Sequence, residues 1–196
     1  MIGFIKAILP LPIRDRLRPG YRKVEQRIKL SGFWPNPSSW QQKKRILAQV
    51  ECLKDFYQFA SDEFEIIQNE PEIVGLLEFL REKQPRVVGE IGMKSGGNSF
   101  LFMQALPSVE TMISMDLQLP LENVRKLKYL ARPRQNMTFV QGDSSAPQTI
   151  ARVRTLLAKR QFDFLFIDGD HSYEGVKRDF LNYRSMVRPG GLDCLS

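Results

Sequence analysis

The sequence has one histidine, two cysteines and no run of about 18 uncharged apolar residues, and each scarcity removes a class of protein. Cys52 and Cys194 stand far apart without metal-ligand spacing, and nothing about them suggests a secreted disulfide framework. A reducing compartment follows, and the expected location is cytoplasmic. The opening MIGFIKAILPLPI is faintly like a signal peptide, but its apolar part is short, is interrupted by Pro10 and Pro12, and lacks a small-residue cleavage site. Export is not expected, and the chain reads as soluble or at most peripheral to a membrane. No zinc-finger or RNA-recognition motif accompanies its cations, so nucleic acid is not an expected partner.

The 196 residues, 42% of them hydrophobic, suffice for one domain with a substantial core and an appendage. The net charge of +7 is unevenly placed. Residues 1–50 hold eleven Lys or Arg against Asp15 and Glu25, a balance of +9, which leaves the remainder near −2. This basic leader is interleaved with Phe4, Ile5, Ile8, Leu9, Leu11 and Ile13. Residues 1–30 could therefore rest on an anionic membrane surface or meet an acidic partner; the plainer alternative is a solvated arm packed loosely on the body.

Five prolines in the first 40 residues preclude one regular element there, although YRKVEQRIKL suits a short helix. From Gln41 to about Ala60 the pattern is helical. In EPEIVGLLEFLREKQP, Ile73, Leu76, Leu77 and Leu80 fall at i, i+3, i+4 and i+7 between Pro71 and Pro85, which predicts an amphipathic helix. Beyond it the short apolar runs RVVGEI, TMISMD, MTFVQGD and FDFLFIDGD alternate with helical stripes. The stripes are Leu121, Val124, Leu127 and Leu130; Ile150, Val153 and Leu157; and Tyr173, Val176, Phe180 and Tyr183. Strand–helix alternation demands parallel strands, because each helix must cover the sheet it has just left; the fold class is α/β. VRPGG stops the last helix, and a fifth strand is expected to follow in LDCLS.

VVGEIGMKSGGNS places a strand, then Glu90, Gly92, Gly96 and Gly97, then the apolar helix SFLFMQAL. Glycines at such a junction let backbone approach a ligand, and the amides that open the helix offer donors. The order G-x-x-x-G-G matches neither the dinucleotide fingerprint nor a P-loop, and a tight strand-to-helix turn would account for the glycines equally. Three more acids argue for a site: Asp116 ends the second strand, Asp143 follows the third, and Asp168 ends the fourth. In an open parallel sheet the carboxyl ends of all strands face one crevice, so Glu90, Asp116, Asp143 and Asp168 are expected on a single rim. Asp116 lies 24 residues after Gly92, near the offset at which an acid grips a ribose hydroxyl pair. Taken singly, each acid could be a turn residue or a helix cap.

These segments, with FDFLFIDGDHSYEGVKRDFLNYRSMVRPGG, resemble the class I S-adenosylmethionine-dependent methyltransferases over about residues 66–192. The last stretch is similar to the bacterial branch of cephalosporin-hydroxylase-like and rhamnosyl O-methyltransferase-like proteins. The resemblance implies a Rossmann-like doubly wound parallel sheet of order 3-2-1-4-5 over 66–196, preceded by a basic, partly helical extension over 1–65. It also implies that Glu90, Gly92 and Gly96, with Ser99 nearby, cradle the methionine end of S-adenosylmethionine. Asp116 would hold the ribose, Asp143 and Ser144 would sit at the adenine, and Asp168 would face the sulfonium and the acceptor. An acidic crevice suits a sulfonium cation. His171 is then the candidate base for an acceptor hydroxyl, oriented by Asp168 and Asp170; its alternative role is to start the following helix. A tightly bound divalent metal is not favoured, since Asp168 and Asp170 alone supply too few ligands.

A complete domain of this family carries two further strands, whereas this chain stops inside the fifth, so the reading is of a domain truncated at its C-terminus. Asp193 falls where a buried strand should be apolar, and an unpaired buried carboxylate is costly. An open apolar edge also invites pairing with another chain, a route to a homo-oligomer. The expected function is O-methylation of a hydroxyl on a sugar, glycan or small metabolite. The alternative is a non-catalytic protein of the same fold that acts as a binding or partner module.

Overall fold

The computed structural model describes residues 40–195, and the chain divides into two compact units, Met1–Ala48 and Gln49–Ser196. Residues 1–30, with their expected membrane contact and the short helix expected in YRKVEQRIKL, lie outside the described residues. Among the described residues no helix is long and apolar enough to cross a membrane.

The helical pattern from Gln41 to Ala60 is two helices, α1 (Trp40–Leu47) and α2 (Leu53–Phe64). The first stops at Leu47, and the second starts after Cys52, which at φ −74°, ψ 129° is extended and whose carbonyl accepts the Phe56 N–H at 3.3 Å, which makes it the N-cap of α2. No glycine or proline marks this break. α2 lies in the unit Gln49–Ser196. Its Phe59 and Phe64 stack on Phe100 at centroid distances of 4.9 and 5.3 Å. α3 (Glu70–Lys83) has Pro71 in its first turn and ends on left-handed Gln84, whose N–H returns to the Leu80 carbonyl.

Five parallel strands follow: β1 (Val87–Ile91), β2 (Thr111–Asp116), β3 (Asn136–Gln141), β4 (Phe162–Ile167) and β5 (Val187–Leu195). Their order in the sheet is β3-β2-β1-β4-β5, so the winding reverses between β1 and β4. The helices between them are α4 (Gly97–Ala105), α5 (Leu121–Leu130), α6 (Pro147–Leu157) and α7 (Tyr173–Tyr183). Every residue of β1 is buried, as expected for the middle of a covered parallel sheet. All nine residues of α4 are buried too, which is why its sequence is apolar around the whole circumference. A continuous apolar core joins Ile91, Ile113, Val140, Leu165 and Ile167 of the sheet to Val153, Leu157 and Tyr183.

Three sequence expectations need correction. Leu121 is exposed although Val124, Leu127 and Leu130 are buried. In α7 the buried row is Gly175, Asp179 and Tyr183, while Tyr173 faces solvent. Tyr183 and Phe180 of the expected stripe do pack on the core, and Asp179, satisfied by a hydrogen bond, shares that inner face. The third concerns VRPGG, which does not precede the fifth strand but forms its first part. Phe162 pairs with Val187 and Phe164 with Leu192, so the extra residues of β5 form a bulge opposite Asp163. Proline is tolerated there because β5 is outermost among the described strands and no ladder bond is lost. Asp193 sits opposite Leu165; burial pushes its carboxyl up, and Oδ1 is buried without a hydrogen-bond partner.

Candidate functional site

The carboxyl ends of β1 and β2, with the loops that follow β1 to β4, line a cleft of about 760 Å³. It lies where the winding reverses, the place at which diverging loops leave room in an open α/β sheet. A volume of this size suits a small-molecule ligand.

β1 ends in a sharp turn at Gly92, which has φ +87° and donates its N–H to the Met115 carbonyl at 2.8 Å. A Cβ there would stand 2.3 Å from the Asp168 carbonyl oxygen. The glycine is required by the approach of the chain leaving β4, and this contact brings the β1 and β4 ends together on the cleft wall. Gly96 is buried and turned toward Leu127 of α5, so it does not line the cleft.

Asp116, Asp143 and Asp168 all line the cleft, and Glu90 does not. The single rim of four acids is therefore a rim of three with one acid behind it. Glu90 is 0% exposed. Its Oε2 accepts the hydroxyls of Ser99 and Ser114, while Oε1 is buried without a partner. Burial pushes this carboxyl up to about 7; the two serine hydrogen bonds oppose the rise, and Asp168 and Asp116 add to it. Ser99 is likewise buried beneath the cleft rather than on it.

Asp116 braces the glycine turn: Oδ2 accepts the Lys94 N–H at 2.8 Å and Oδ1 the Gln118 N–H at 3.1 Å. Asp143 is exposed, and its Oδ1 accepts both the N–H of Ser145 at 2.8 Å and its hydroxyl at 2.7 Å. Those bonds hold its carboxyl below the usual range and leave Oδ2 directed to no partner among the described residues. Ser144 donates its hydroxyl to Asp179 Oδ1 at 2.6 Å.

Asp168 Oδ2 accepts from Gln68 Nε2 at 2.5 Å, and its Oδ1 lies 3.9 Å from His171 Nδ1. His171 is exposed at the cleft mouth. Asp170, expected beside Asp168 as an orienting acid, is turned to the start of α7: Oδ1 accepts the Ser172 N–H at 2.9 Å and Oδ2 lies 3.7 Å from Arg178. The hydrogen bonds from Ser172 lower its pKa first, and Arg178 and His171 add to the effect. Among the described residues no group of three or more His, Cys, Asp or Glu could hold a metal ion.

Three residues of the site escaped the sequence reading. Gln68, in the linker between α2 and α3, is 100 positions from the acid it holds, and nothing local marks it. Asp179 and Tyr183 fall at i and i+4 on α7, and an acid within that inward row was the available signal.

A methyltransferase-domain family model matches residues 90–193, more than half of the chain. No curated protein matches by sequence. Among solved structures, the chain is similar to the MycE methyltransferase from the mycinamycin biosynthetic pathway, in complex with Mg and SAH. The identity is 21% and the TM-score 0.53, over 73% of this chain and 38% of MycE. It is also similar to an SAH-bound O-methyltransferase from Bacillus cereus, at 15% identity and TM-score 0.56, over 88% of this chain and 71% of that one. An SAH-bound methyltransferase of Podospora anserina, PaMTH1, aligns at 15% identity and TM-score 0.54, over 85% and 73%. Likenesses at these identities show the fold. The chain spans well under half the length of MycE.

Proposed function

This chain belongs to the methyltransferase-domain family, and on that premise we propose that it transfers a methyl group from S-adenosylmethionine to a hydroxyl of a sugar, glycan or small metabolite. The observation that carries the reading is the convergence of Asp116, Asp143 and Asp168 on one cleft at the winding reversal.

The residues present fit the cofactor. Asp143 Oδ2 has no partner among the described residues, and each oxygen of Asp116 accepts only one N–H. A carboxylate has about four acceptor sites, so both acids retain capacity for further donors. Asp116 suits the ribose hydroxyls, and Asp143 with Ser144 suits the adenine and its exocyclic amine. The Gly92 turn and Asp168 remain for the methionine end. Four carboxylates line the cleft, Asp116, Asp143, Asp168 and Asp170, against Lys94, His171 and Arg178, a balance that favours a cationic sulfonium. When bound, S-adenosylmethionine supplies a methyl group on an already activated carbon.

The chain then has to bind, align and deprotonate. Gln68 fixes one oxygen of Asp168 and leaves the other toward His171. His171, exposed at the mouth, takes the proton of the acceptor hydroxyl, and Asp168 stabilises the imidazolium that results. Asp170 serves this arrangement indirectly, by accepting the N–H of Ser172, the N-cap of α7, beside His171.

Calorimetric titration with S-adenosylhomocysteine tests the cofactor site without knowledge of the acceptor. Binding of one equivalent is expected, with at least a tenfold loss in Asp116→Asn, because the amide keeps one acceptor oxygen but puts an NH2 donor where the second carboxylate oxygen accepted. Absence of heat at millimolar ligand would overturn the reading.

A further inference from the structure

Two groups of the cleft, Asp143 and Ser144, ride on the loop between β3 and α6, a segment with no ladder bonds of its own beyond Gly142. Within the loop, Asp143 bonds only to its neighbours Ser145 and Ala146. The fixed points come from α7. Asp179 Oδ1 accepts the Ser144 hydroxyl at 2.6 Å, and the Tyr183 hydroxyl donates to the Ser144 carbonyl at 2.9 Å. One residue is thus gripped at both its side chain and its main chain.

Asp179 and Tyr183 lie four positions apart on α7 and so share one face, and they are 2% and 0% exposed. Neither lines the cleft. Burial pushes the Asp179 carboxyl up, and the Ser144 hydrogen bond draws it back down. A buried acid is a costly way to pack a helix against a sheet, and an apolar residue would do that more cheaply. Here its one hydrogen bond within the described residues goes to a loop that carries cleft groups. α7 itself begins directly after Asp168, Asp170 and His171, so the same helix ties the β3 and β4 walls of the cleft together.

We propose that Asp179 and Tyr183 are positioning residues that lock Ser144, and through it the Asp143 carboxylate, in the orientation that receives the nucleoside half of the cofactor. The proposal rests on the cofactor reading above. Neither residue touches the ligand; they act through the loop.

The test is calorimetry of S-adenosylhomocysteine and of adenosine on the wild type and on Tyr183→Phe, Asp179→Leu and Asp179→Asn, with a melting curve for each. Tyr183→Phe deletes one hydroxyl and is expected to weaken S-adenosylhomocysteine about tenfold, in line with one lost hydrogen bond to a positioned loop. Adenosine should weaken by the same factor, because the loss falls on the nucleoside half. Asp179→Asn keeps an oxygen that can accept from Ser144 and should lose less affinity than Asp179→Leu. In a Ser144→Ala background the two Asp179 variants should bind alike, since the hydroxyl that distinguishes them is gone. If Asp179→Leu does not fold, Tyr183→Phe decides. Variants that melt earlier yet bind both ligands with wild-type affinity would overturn the positioning role and leave the cofactor reading standing. A wild type that binds neither ligand would overturn both.

Discussion

Glu90 presents no surface to solvent and leaves one carboxylate oxygen without a partner, so its charge state is set by burial rather than by water. Its pKa rises from the usual 4.5 to about 7. The unfolded chain loses this proton near 4.5, whereas the folded chain keeps it until about 7, so folding takes up a proton across that window. Stability therefore falls as pH rises from about 4.5 to about 7, and the full cost, about 3 kcal/mol at ~1.4 kcal/mol per pH unit, persists above. Glu90→Gln retains an acceptor for Ser99 and Ser114 but cannot ionise. Urea unfolding at pH 5 and pH 8 should show the fall between the two pH values shrinking by about 2–3 kcal/mol in the variant; equal falls in both proteins would refute the assignment. At this scale the positions of Glu90, Asp116, Asp143 and Asp168 at strand ends were legible in the order of residues. Which of them faces the cleft was not, because Glu90 turns toward Ser114, its register partner on β2, and Ser99 of α4.

Among elements, the starts of β1, β4 and β5 meet on one carboxylate. Asp163 Oδ2 accepts the N–H groups of Arg86 and Val87, both at 2.8 Å, and Oδ1 accepts Arg188 Nε at 2.5 Å. Burial alone would push this carboxyl up, but the Val87 and Arg86 N–H groups and Arg188 together hold it below the usual range. Asp163→Ala leaves two strand-end donors without their acceptor and should cost about 2 kcal/mol in denaturant unfolding, from the penalty of unsatisfied donors. A loss under a few tenths of a kcal/mol would show that water replaces the carboxylate at no cost. The apolar runs that became β1, β2 and β4 were visible because buried parallel strands need continuous apolar sequence, whereas β3 buries only Met137 and Val140. The break before α2 and the bulge in β5 were not. The first lies over residues 48–52, which hold no glycine or proline, and the second depends on how many residues of β5 match each residue of β4.

For the molecule as a whole, a ligand that binds only the native cleft shifts the folding equilibrium by mass action. S-adenosylhomocysteine at a hundred times its dissociation constant should add about 2.7 kcal/mol of stability. For a domain of this size that raises Tm by about 5–10 °C. Differential scanning calorimetry checks the shift, and Asp116→Ala should flatten it. An unchanged Tm in the wild type would mean that the cleft does not take the nucleoside.

The α/β class, the first four strands and the acids at their ends could all be read from spacing, because strand burial and turn chemistry are local properties that leave a periodic trace. Contacts between residues far apart in the chain left none. The grip of Gln68 on Asp168, the burial of Glu90 and the clamp of Asp179 and Tyr183 on Ser144 exist only once the sheet has wound, since each joins segments whose approach is dictated by packing and not by their own composition.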